Sequence, residues 1–82
     1  MSAHLTWLYP AVFTPDPAGG YSIHFRDVPE ALSQGDNIAD AYEAARDALA
    51  TAFEFYHEDK RPLPMPSLPE DGEYLIRYVV GQ

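Results

Sequence analysis

The sequence predicts an α+β domain, a two-layer sandwich in which one long helix lies on a small, mostly antiparallel sheet in the order β-β-β-α-β. Three observations predict it. The stretch Asn37 to Glu58 carries a helical apolar period and contains neither Gly nor Pro. Short segments with strand-like alternation precede it, and another follows it. The chain has 82 residues, which is room for one domain with one modest core, so residues 1–82 are read as a single unit.

Taken in order, Met1 to Thr6 read as a loose lead-in. Trp7 to Thr14 form the first predicted strand, with Tyr9, Ala11 and Phe13 on one face and Leu8, Pro10 and Val12 on the other. Pro10 has no N–H for a ladder, which predicts that it marks the strand's first residues or a bulge. Pro15 to Gly20 hold two prolines, an Asp and a Gly pair, the chemistry of a reverse turn. In Tyr21 to Arg26, Tyr21, Ile23 and Phe25 alternate with Ser22, His24 and Arg26, as in a half-buried antiparallel strand. Asp27 to Glu30 read as a turn, Ala31 to Gln34 as a short third strand, and Gly35-Asp36 as the entry to the helix.

In the helix, Ile38, Ala41, Tyr42, Ala45, Leu49, Ala52, Phe53 and Tyr56 recur at steps of three and four and make one apolar stripe. Asn37 suits an N-cap, and Asp36 and Asp40 place negative charge at the positive end of the helix dipole. Pro62, Pro64 and Pro66 forbid helix in the next segment, which reads as an extended connector along a sheet edge or, alternatively, a polyproline ligand. Tyr74 to Val80 form the last strand, with Tyr74, Ile76, Tyr78 and Val80 on its apolar face. If that strand returns parallel to the first, the spatial order is 3-2-1-4. One face of such a sheet stays bare and carries Ser22, His24 and Arg26.

Composition narrows the function. With no cysteine, disulfides, thiolate catalysis and cysteine-based metal sites are excluded, and a reducing, cytoplasmic setting is expected. No segment has the roughly 20 apolar residues of a membrane-spanning helix. Thirteen acidic against five basic residues give a net charge of −8, which opposes direct nucleic-acid binding and suits either plain solubility or a basic partner.

No catalytic, metal or cofactor site is expected. His4, His24 and His57 fall in separate segments, and only His57 has carboxylates nearby in sequence, at Glu54 and Glu58. A histidine near a helix C-terminus is better explained by the helix dipole, which favours it without any ligand. Gly19-Gly20 is a turn rather than a phosphate loop. The element order matches the opening of the ribonuclease-H-like fold, whose nucleases hold two metal ions on clustered carboxylates. The predicted first strand has no carboxylate, so the metal ligands of such a nuclease are missing.

The stretch YPAVFTPDPAGGYSIHFRDVPEALSQGDNIADAYEAARDAL resembles the N-terminal domain of the HicB antitoxins. The resemblance rests on Tyr9-Pro10, Gly19-Gly20-Tyr21, Phe25 with Asp27-Val28-Pro29, Gln34-Gly35-Asp36 before an Ala-rich helix, and the proline-rich segment with Leu63-Pro64 and Pro66-Ser67. It implies a partial ribonuclease-H-like fold that is not itself a nuclease. It also implies a partner, the small basic mRNA-cleaving toxin HicA, whose active site the domain masks. The family usually adds a C-terminal helix-turn-helix or ribbon-helix-helix domain that binds operator DNA. The 82 residues are expected to hold no such domain, as in a truncated chain or a natural short form.

The residues expected to meet a toxin are Asp27, Pro29 and Glu30 in the turn, and Asp36, Asp40 and Glu43 at the helix entrance. Each carboxylate is equally explained as a solvated charge or a cap, and Asp27 by bonding within its own turn. Phe55, off the helix stripe, is a candidate aromatic anchor, or else packs under the proline-rich segment. The competing readings are a module for homo-oligomeric self-assembly and a small nuclease.

Overall fold

The computed structural model describes residues 5–80. Its elements are β1 (Leu5–Pro15), β2 (Tyr21–Phe25), β3 (Leu32–Gly35), α1 (Ile38–Glu58) and β4 (Tyr74–Val80). The four strands form one antiparallel sheet in the order β3-β2-β1-β4, and the helix covers one face of it. The α+β class, the element order and the spatial order agree with the sequence reading.

Several details differ. β1 starts at Leu5, because Leu5 and Thr6 pair with Val80 and Val79 of β4. The expected lead-in is therefore strand from residue 5 onward, and residues 1–4 lie outside the described part. Pro10 sits mid-strand and buried, neither at the start nor at a bulge. Pairing of β1 with β2 reaches only as far as Ala11, so Pro10 lies beside a strand on one side alone. β4 runs antiparallel to β1, not parallel. After α1 the chain crosses back through residues 59–73 before it turns into β4, and this second crossing reverses the strand.

The core follows from the alternation and the helical period. Tyr9, Ala11, Phe13, Ile23, Phe25 and Ile76 point from the sheet to Ala41, Ala45, Leu49, Ala52, Phe53 and Tyr56. At the C-terminal half of α1, Phe53 packs edge-on to Tyr9 (5.2 Å between centroids), Tyr56 (5.4 Å) and Tyr78 (4.7 Å). A side chain of that size, fully buried, contributes about 1.5–3 kcal/mol. At the N-terminal half the contact is backbone to backbone. A Cβ on Gly35 would collide with the main chain of Ala41, so only glycine lets α1 settle this closely on β3. Asn37 caps the helix, its Oδ1 accepting from the Asp40 N–H at 2.8 Å.

The β1–β2 turn closes with Gly19 N–H donating to Asp16 O and Asp16 N–H to Gly20 O, both at 2.9 Å. Gly20 has φ +81, and an added Cβ would lie 2.6 Å from the Gly35 carbonyl.

Replacing Gly35 with alanine forces the helix off the sheet. The expected loss is about 1–3 kcal/mol, the usual cost of overpacking, read as a lowered urea midpoint with an unchanged slope.

Candidate interaction surface

Around α1 the residues sort into three stripes. Ala41, Ala45, Leu49, Ala52 and Tyr56 face the core. Ala44, Ala48, Thr51 and Phe55, at steps of four, three and four, form a second stripe beside it. Asp40, Glu43, Asp47, Glu54 and Glu58 form a third, exposed one. The second stripe lines an open groove of about 590 Å³ between the helix flank and Glu30–Ser33 at the edge strand. Phe55 is 58% exposed at its rim, so it does not pack under the proline-rich segment. On the opposite flank Tyr42 Oη donates to the Leu75 carbonyl at 3.1 Å, and Pro10, opposite Leu75, has no N–H to give.

Glu30 closes one end of the groove. Its carboxylate accepts from Tyr56 Oη at 2.8 Å and from Arg61 Nη2 at 3.0 Å, and the Arg61 guanidinium lies 3.8 Å over the Tyr56 ring. Its own backbone N–H, Tyr56 and Arg61 together hold the Glu30 pKa below the usual carboxylate value. Burial, with the bond to Glu30, raises that of Tyr56.

The segment after the helix is fastened at several points. Tyr9, fully buried, donates its hydroxyl to the Pro64 carbonyl at 2.7 Å. Burial first, and then the charge of Asp27, pushes the Tyr9 pKa up. Asp27 accepts from Ser67 N–H (2.8 Å) and Ser67 Oγ (2.6 Å). Arg26 makes a two-pronged pair with Glu73 (2.6 and 2.8 Å) and donates to the Leu68 carbonyl at 2.9 Å. The Glu73 side chain is only 6% exposed, and the Arg26 bonds lower its pKa to about 2.

The six expected contact residues do not form one cluster. Asp27 and Glu30 are already engaged with Ser67 and with Tyr56–Arg61, and Pro29 is exposed between them. Asp36 and Asp40 share a polar recess with Asp16 at the other end of β3. Glu43 pairs with Arg46 at 3.3 Å. Ser22, His24 and Arg26 lie on the sheet face away from the helix, as expected, where Leu8 (45% exposed) and Leu32 (68%) join them. The groove was missed in the sequence. Its signal was the second small-residue stripe, Ala44-Ala48-Thr51, ending in Phe55. Among the described residues no group of three or more His, Asp or Glu side chains is placed to hold a metal ion. No helix there is long and apolar enough to cross a membrane.

The family model for the HicB-like antitoxin of bacterial toxin-antitoxin systems matches residues 8–80. The chain belongs to this family. Antitoxin HicB of Escherichia coli (strain K12) is 58% identical over 68 residues, which cover 83% of this chain and 49% of that protein. Antitoxin HicB 1 of Photorhabdus laumondii subsp. laumondii is 53% identical over 67 residues, 82% of this chain and 43% of that protein. The chain thus spans about half the length of the curated HicB relatives it matches.

The depressed Glu73 pKa fixes the sign of an acid dependence. Its pairing stabilises the fold fully above the ordinary carboxylate pKa of 4.5 and is lost as pH falls toward about 2. Glu73→Gln should therefore lower the melting temperature at pH 7 and flatten its decline between those two pH values, as followed by thermal melts across that window.

Proposed function

We propose that this domain binds a small basic HicA-type toxin and occludes its ribonuclease site, acting in the cytoplasm and without an enzymatic activity of its own. Membership of the HicB antitoxin family carries this reading. The charge of −8 supports it, since an acidic surface speeds encounter with a basic RNA-binding protein and disfavours RNA itself. β1 contains no carboxylate, so the strand that supplies a metal ligand in ribonuclease-H-like nucleases has none to supply.

The turn residues Asp27, Pro29 and Glu30 and the helix-entrance residues Asp36, Asp40 and Glu43 are proposed as toxin-facing. Asp36, exposed, and Pro29 are open to direct contact. Asp27 and Glu30 would act in part by holding the surface in shape through Ser67, Tyr56 and Arg61. Operator binding is assigned to no residue of this domain.

The test is calorimetric titration with a catalytically inactivated HicA-type toxin, paired with an RNA-cleavage assay using the active toxin. Expected are tight binding, loss of cleavage, and weakening as salt rises through the range that screens surface charge. No heat and undiminished cleavage at high micromolar domain would overturn the reading and favour self-assembly, which sedimentation of the domain alone would then show.

A further inference from the structure

The groove between α1 and β3 has the shape left by a missing fifth strand. β3 is an edge strand, with no strand on its outer side among the described residues. A strand added there would run beside Leu32–Gly35 and project alternate side chains over the helix-facing side of the sheet. That space is the groove, and its helix wall is small and largely apolar: Ala44, Ala48 and Thr51, with Phe55 as a rim. At the other edge of the sheet Tyr42 reaches from the helix to β4, its hydroxyl bonded to the Leu75 carbonyl.

The charge beside the groove selects the occupant. Asp47 lines it, and Glu43 and Glu54 continue the same flank at four and seven residues from Asp47. Arg61 also lines the groove, but its charge is spent on Glu30, and Glu43, paired with Arg46 at 3.3 Å, would share its exposed carboxylate with a partner's cation. A second copy, with a net charge of −8 over its whole chain, has the wrong sign for an acidic flank.

We infer that β3 and the α1 groove accept an extended segment of a basic partner protein as a fifth strand, with small or apolar side chains in the groove and Lys or Arg against the Glu43–Asp47–Glu54 flank. This rests on the toxin-binding reading and adds where and how the partner docks. Main-chain bonds to β3 would supply affinity, the groove would select side chains, and the carboxylates would set encounter rate.

The experiment compares amide hydrogen exchange of the 82-residue chain alone and saturated with the inactivated HicA-type toxin, alongside affinities of three variants checked for folding by circular dichroism. Protection gained at Leu32–Gly35 is the expected signature of strand addition. Ala44→Trp fills the groove without changing charge and should weaken binding by about tenfold or more. Asp47→Lys should weaken it about tenfold, chiefly in association rate, whereas Asp71→Lys, with the same change in net charge in an exposed turn, should have a much smaller effect. Toxin binding with no protection in β3 and unchanged affinity of Ala44→Trp and Asp47→Lys would overturn the inference while leaving the antitoxin reading intact. Failure of the unaltered chain to bind overturns both. Protection of the same amides in the chain alone as its concentration rises would assign the edge to a second copy and overturn the inference too.

Discussion

Two backbones come close together where the first turns of α1 rest on Gly35, leaving no room for a side chain there. Everything on the helix side of the sheet depends on that contact. It sets the height of the helix over β3, and Ala41 and Ala45 keep that height low. Further along, the spacing is filled by rings, with Phe53 between Tyr9, Tyr56 and Tyr78. The helix is thus seated by small residues at one end and propped by aromatic ones at the other. Its flank toward β3 carries alanines that no strand covers among the described residues, and the groove lies there.

Residues 59–73, between the helix and β4, contribute almost no regular structure, yet they bind the layers together. Tyr9 reaches from β1 to Pro64, Asp27 holds Ser67, and Arg26 grips both Leu68 and Glu73. Each contact joins the β1–β2 hairpin region to a segment some forty or more residues away, as in the separation of 40 between Asp27 and Ser67. Two of the chain's five basic residues, Arg26 and Arg61, are consumed in these internal ties. The remaining acidic excess is left on the surface, where it repels itself and is available to a cation-rich partner.

Periodicity carried most of the fold. The Tyr21-Ile23-Phe25 alternation and the Ala41-to-Tyr56 stripe state their buried faces directly, and Asn37 announces the helix start. Pro10 and the direction of β4 were not legible in the same way. A proline's place in a strand depends on which neighbours pair beside it, and a strand's direction depends on how often the intervening chain crosses the sheet. Neither is a local property. The site was less legible still. Asp27 and Glu30 stand out as turn carboxylates, but nothing near them in sequence reveals that Ser67, Tyr56 and Arg61 occupy their oxygens. Phe55 was recognisable as off the core stripe, whereas the groove it borders exists only once β3 is placed beside Ala44 and Ala48.

β1 lies between β2 and β4, and its pairing with β4 joins Leu5 to Val80. The sheet therefore links the earliest and latest described residues of the chain. Contacts of such long sequence separation must close a large loop before they give any return, which slows folding. During synthesis the hairpin and helix can assemble first, while one side of β1 stays an open edge until β4 emerges. A nascent chain halted before residue 74 would thus present a sticky strand in place of a finished sheet, so the pace at which residues 74–80 are made bears directly on how long that edge stays exposed.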